Sequence, residues 1–118
     1  MAVQSLAITN AGSNLFSSIG NNAVTTIMVC NKVPFDPLDP TADLNYLYLY
    51  VVNNNDPVSD NLNLVVNKLP VPAGETVTFD SEKIILSNGD RIFVKSVHIN
   101  SPSTTTQNLV ATISTLSL

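Results

Sequence analysis

Residues 44–52, LNYLYLYVV, alternate two kinds of side chain without a break. Tyr46, Tyr48 and Tyr50 fall on one side, and Leu47, Leu49 and Val51 on the other. That period of two belongs to an extended strand. The same period, with the same β-branched residues, recurs along the chain, while the 3.6-residue period of an amphipathic helix fails almost everywhere. An all-β domain is therefore expected, and 118 residues fit one domain with a continuous core.

Residues 2–9 (AVQSLAIT) form a first strand or arm, and residues 11–22 a second strand or an extended arm containing Leu15, Phe16 and Ile19. Residues 23–31 place Val24, Met28 and Cys30 on one face and Ala23, Ile27 and Val29 on the other. Both faces are apolar, so this strand is expected to be central. Further strands are expected at 62–69, with Leu62, Leu64 and Val66 inward, at 75–79, over Ile84–Leu86, at 91–99 and at 107–118. Pro34, Pro37 and Pro40 make residues 32–43 a stiff, extended surface connection. Ser87-Asn88-Gly89-Asp90 reads as a tight hairpin. About eight strands with regular turn signals predict a single antiparallel β-sandwich, either a jelly roll or an Ig-like Greek key. The sandwich covers 23–118, and 1–22 is an N-terminal arm or edge strand.

Charged residues are 12% of the chain, about half the usual share. Fifteen Asn, twelve Ser and eleven Thr take their place. Such a surface can be buried against a partner without the desolvation that charges impose. The net charge is −4, and the five Lys and Arg are scattered, so nucleic-acid binding is not expected. Cys30 is the only cysteine and has no partner for an internal disulfide, which favours a reducing compartment. The opening MAVQSLAITNAGS lacks the pattern of a signal peptide. No apolar run approaches the roughly 18 residues of a membrane span. Neither export by a classical route nor membrane insertion is expected.

Groups that carry chemistry are few. His98 is the only histidine and sits in a strand pattern, where a half-exposed strand residue is the ordinary reading. Cys30 lies mid-strand and reads as a small hydrophobe. Asp36, Asp39 and Asp43 in one loop, and Asp56 and Asp60 in another, raise calcium binding, but no loop signature accompanies them. Asp80 and Glu82 are two apart at a strand break, without the aromatic residues of a sugar cleft. They read as punctuation between strands. No enzyme activity, catalytic residue, cofactor or metal site is expected.

From residue 69 onward a strand leads into PAGET, then to FD, EKIILSNGD and RIFV; TTIMVCN stands upstream, and LVATISTLSL closes the chain. This order resembles small β-sandwich virion structural proteins of tailed bacteriophages, particularly phages of marine cyanobacteria. The resemblance covers roughly residues 23–118 and rests on turn and strand signals. It implies no catalytic residues. It implies a virion component assembled in the host cytoplasm, foremost a capsid decoration or cement protein that bridges shell subunits. The partners implied are the major capsid protein or other virion proteins, and a homo-oligomer, guessed to be a trimer. A tail, neck, baseplate or fibre-associated role is the first alternative. A host-surface carbohydrate-binding module, using the three tyrosines as a platform, is the second. The expected contact residues are Leu6, Ile8, Leu15, Phe16 and Ile19 in the arm, and Phe35 and Leu38 in the proline loop, because apolar residues in polar, exposed segments mark anchors.

Overall fold

The alternating segments become nine strands in a computed structural model that describes residues 2–80, 83–100 and 107–118. They are β1 (Ala2–Ala7), β2 (Ser13–Ser17), β3 (Asn22–Asn31), β4 (Asn45–Val52), β5 (Leu64–Val71), β6 (Thr76–Phe79), β7 (Ile84–Leu86), β8 (Arg91–His98) and β9 (Leu109–Ser117). Among the described residues no helix is long and apolar enough to cross a membrane.

The antiparallel pairs are nested. β1 pairs with β9, β2 with β8, β3 with β6 and β7, and β4 with β5. This is one long ribbon folded back on itself. Rolling the ribbon sets β9 beside β3 and β8 beside β4. The first sheet then runs β1-β9-β3-β6, with β7 following β6 along β3, and the second runs β2-β8-β4-β5. Of the two sandwich topologies open to the sequence, this connectivity is the jelly roll.

The two inner faces make one core. Val24, Ile27, Val29, Leu86, Ala111 and Ile113 come from the first sheet, and Leu47, Leu49, Ile92 and Val94 from the second. Burying each larger aliphatic side chain stabilises the fold by about 1.5–3 kcal/mol.

Residues 2–7 and 13–17 are edge strands, one in each sheet, and not a projecting arm. Ile8 and Leu15 belong to the core, and Leu6 and Phe16 pack against it. Four of the five expected arm anchors therefore serve the domain's own interior. β2 gains this by a bulge: Asn14 and Phe16 face consecutive residues of β8, so Leu15 is the extra residue, and both it and Phe16 reach the core.

A second bulge corrects the faces of β3. Val24 faces Thr115 and Thr26 faces Ser114, leaving Thr25 unpaired. One extra residue reverses the alternation. Val24 thus joins Ile27 and Val29 inside, while Met28 and Cys30 point out.

The turn at 87–90 forms, but it is not a hairpin between neighbouring strands. It carries the chain from β7 in the first sheet to β8 in the second. The Asp90 N–H donates to the Ser87 carbonyl, and only Gly89 of the central pair has a positive φ, 88°. One positive φ, at the third position, fits a type II turn; the I′ hairpin turn needs two. A Cβ at Gly89 would also strike the Asn54 side chain.

The proline loop is folded rather than extended. Asp39 N–H donates to Asp36 O, Ala42 N–H to Asp39 O and Leu44 N–H to Thr41 O, which makes three successive turns. Pro37 and Pro40 each occupy the second position of a turn that an aspartate begins, where a fixed φ near −65° fits. Leu62, expected inward, lies exposed before β5 begins, because Asn63 bonds the Ser59 N–H and the Pro57 carbonyl and holds 57–63 as a loop.

Ile8→Ala is predicted to destabilise the protein by about 2–5 kcal/mol in chemical denaturation. Ile19→Ala, at a side chain 88% exposed, should stay within about 0.5 kcal/mol of the parent. Equal, small effects at both positions would contradict an edge strand built into the core.

Candidate interaction surfaces

One end of the sandwich is closed by a polar knot. Asn31 points inward from β3, and Asn45 and His98 are opposite neighbours on β4 and β8. Asn31 Nδ2 donates to the carbonyls of Asp43 and Val71 at 2.8 and 3.0 Å, and its Oδ1 accepts from Val33 N–H. Asn45 Nδ2 also donates to the Asp43 carbonyl. His98 Nδ1 accepts from the Asn100 N–H, which places the ring proton on Nε2, 3.1 Å from Asp43 Oδ1. His98 is buried, not the half-exposed strand residue expected. Its partners tie down the proline loop, with Asn100 reaching the Ala42 carbonyl as well. Asn45 Oδ1 is buried with no donor among the described residues.

Three of the five loop aspartates have structural tasks. Asp36 Oδ1 accepts from Leu38 N–H, Asp43 holds His98, and Asp60 accepts from the Tyr50 hydroxyl at 2.5 Å. Among the described residues no three His, Cys, Asp or Glu side chains gather as a metal-sized group. Asp80 lies just beyond β6, and Glu82 lies outside the described residues.

The outer face of the second sheet carries the tyrosines, and lysines cover them. Lys68 Nζ is 5.0 Å from the Tyr46 ring centroid; Lys95 Nζ is 4.9 Å from that of Tyr48 and 5.9 Å from that of Tyr50. Tyr50 is buried and meets Phe93 edge to face, with ring centroids 5.8 Å apart. Residues 53–63 are strapped to this end of the sheet by Asp60 on Tyr50, by Arg91 on the Asp56 carbonyl and by Asp90 on Asn54 N–H. The three tyrosines therefore do not form a bare stacking platform.

The outer face of the first sheet is different in kind. None of its five strands contains an Asp, Glu, Lys, Arg or His. Its rows follow from the registers: Leu116–Ala23–Ile85, then Val3–Ser114–Thr26, then Ser5–Thr112–Met28–Thr78, then Ala7–Val110–Cys30–Thr76. Hydroxyls and uncharged apolar side chains are mixed across these rows. Its strand residues can be covered without stranding a charge, which would cost several kcal/mol if left unpaired; Lys83 stands at the border of the face, where its Nζ donates to the Thr25 carbonyl. The strand charges all lie in the second sheet, and the described acids all lie in loops.

Of the expected contact residues, Ile19, Phe35 and Leu38 are exposed, at 88, 57 and 93%. They do not meet. Phe35 and Leu38 lie beyond Asn31 and Ile19 lies before Asn22, at opposite ends of ten-residue β3, which spans about 30 Å. The charge-free face was not singled out from sequence, although the absence of charge from five strand segments is a signal the sequence carries.

No protein-family model, no curated protein and no solved structure matches this chain.

Burial first, then the hydrogen bond and charge of Asp60, push the Tyr50 phenol well above the usual tyrosine range. The unfolded chain ionises Tyr50 near pH ~10, while the folded chain keeps it protonated. Its contribution is therefore full below that pH and falls as pH rises further, by at most about 1.4 kcal/mol per pH unit. Tyr50→Phe should be less stable than the parent at neutral pH, by about 1 kcal/mol for the lost hydrogen bond. The gap should close in urea titrations run above pH ~10. A gap independent of pH would contradict this environment.

Proposed function

We propose that this chain is a structural protein of a tailed-phage particle, a capsid decoration or cement domain that bridges and stabilises shell subunits. The observation that carries the proposal is the charge-free outer face of the first sheet. A domain whose work is to lie on other proteins needs a broad surface that gives up its water at low cost and offers hydrogen bonds in return. Strands of Ser, Thr and uncharged apolar residues, among them the exposed Val3, Met28 and Leu116, meet that need, and the polar knot and strapped loops keep the body behind them rigid. Phe35 and Leu38 on the turned proline loop supply a separate apolar anchor. Jelly rolls serve capsid and lectin domains among others, so the fold is compatible and the surface carries the argument. The order of motifs over residues 23–118 supports the phage setting. The partners in this reading are the major capsid protein or other virion proteins, and the protein's place is the virion.

The test is occupancy on particles. Met28 is central in the face, half-exposed and opposite Thr112 and Thr78. Met28→Lys is predicted to fold within about 0.5 kcal/mol of the parent. It should nonetheless lose particle binding by more than about tenfold, because the introduced charge is desolvated on docking. Parent copy number of the order of the shell subunits fits decoration, while a few to a few dozen copies moves the protein to the neck or tail. Full occupancy by Met28→Lys overturns the assignment of the face, and no association with particles overturns the proposal.

A further inference from the structure

Four strand edges bound the two sheets, and three of them are blunted. β5 carries Pro70, Lys68 at a φ of 53°, and two register shifts against β4. β2 is five residues long and bulged. The β6–β7 edge is interrupted between Phe79 and Ile84, where Lys83 Nζ donates to the Thr25 and Asp80 carbonyls. Bulges, prolines, lysines and short strands are the devices that stop a sheet edge from pairing with another chain. β1 has none of them. Its sequence, AVQSLA, contains no proline, glycine or charge, and its register on β9 is unbroken from Ala2↔Thr115 to Ala7↔Val110.

The register also fixes which backbone groups point away. Ile8 N–H donates to the Leu109 carbonyl at 2.8 Å and continues the same pairing. Antiparallel residues alternate between bonding the partner strand and facing away from it. Gln4 and Leu6 therefore bond β9 as Ile8 does, and Val3, Ser5 and Ala7 turn their N–H and C=O groups outward. The Ser5 and Thr112 hydroxyls, 3.0 Å apart, agree with this, because side chains lie closest at the pairs that do not exchange backbone bonds. Among the described residues no strand pairs with this outward edge.

We propose that β1 pairs with β1 of a second copy of this chain, antiparallel about a two-fold axis at Ser5. Ser5 then faces Ser5 of the second copy, and Val3 faces Ala7 in both directions. Each outward N–H meets an outward C=O of the same three residues, so one axis satisfies the whole edge. A two-fold axis brings each patch against itself, and a charge near this axis would face its own copy; Val3, Ser5 and Ala7 carry none. Their side chains lie on the charge-free face, so pairing joins two such faces into one sheet. That match of the edge to itself favours a second copy over a different partner. The inference does not depend on the particle reading.

Sedimentation and light scattering across a concentration series, with amide exchange read residue by residue, test it. The full chain should show a dimer. Val3, Ser5 and Ala7 amides should lose protection on dilution, while Gln4 and Leu6 keep theirs. Ser5→Pro removes an outward N–H, the edge position type where proline is tolerated, together with the exposed hydroxyl beside Thr112, and leaves the backbone bonds to β9 in place. It should fold and weaken the dimer by at least about tenfold. Val3→Lys, at a residue 66% exposed, should do the same by setting a charge on the edge. Val65→Lys, on the blunted β5 edge, should leave the dimer unchanged. A monomer at millimolar concentration, a trimer, or a dimer indifferent to both β1 substitutions overturns the proposal.

Discussion

The pairing of β3 with β9 is the constraint on which the rest of the domain depends. Nine positions of β3 align with β9, from Asn22↔Ser117 to Asn31↔Leu109. Both strands are flanked on their other side, β3 by β6 and β7 and β9 by β1. Their backbone groups are thus paired on two sides over most of their length, and their inner side chains supply most of the first sheet's half of the core. A strand paired on both sides and packed on one face tolerates little slippage, because a shift of one residue would exchange Ile27 and Ile113 for Met28 and Thr112. The nested ribbon follows once this register is set.

Charge is then divided by layer. The strands of the first sheet carry none, the second sheet keeps its cations on β5 and β8, and the described acids sit in loops, where Asp36 caps a turn and Asp60 and Asp43 accept from Tyr50 and His98. The consequence for function is an asymmetric body. One outer face is spanned by lysine–tyrosine contacts and partly covered by residues 53–63. The other is broad and uncharged, and it continues to the one edge that lacks any device against pairing. The ends differ as well: buried amides and His98 hold one, and the turns at 87–90 and 53–63 hold the other.

Strand existence was legible in the sequence because alternation is local, and every segment expected to be a strand contains one. Faces and partners were less legible, because they depend on events one residue long. The bulge at Thr25 moves Val24 inside and Met28 outside, and nothing in AVTTIMVCN announces it. Asn88-Gly89 signals a turn, but a turn residue fixes only local φ and ψ, not which sheet the next strand joins. Ile8 and Leu15 look like anchors on a polar arm because the interior they fill is built by strands distant in sequence. The tyrosine stripe of β4 was legible as a stripe, while its covering by Lys68 and Lys95 arises across strands. The sparse charge that first pointed to a surface made for burial was read from composition; its concentration on one face needed the registers.

Cys30, the only cysteine, stands half-buried on the charge-free face between Val110 and Thr76, away from the β1 edge. Its reaction rate with a small thiol reagent, compared between the free protein and the protein bound to particles, reports directly on whether that face is the one covered. The account predicts ready labelling of the free protein, dimeric or not, and protection by at least about tenfold when bound, since a buried thiol is inert. Equal labelling rates in the two states would contradict it.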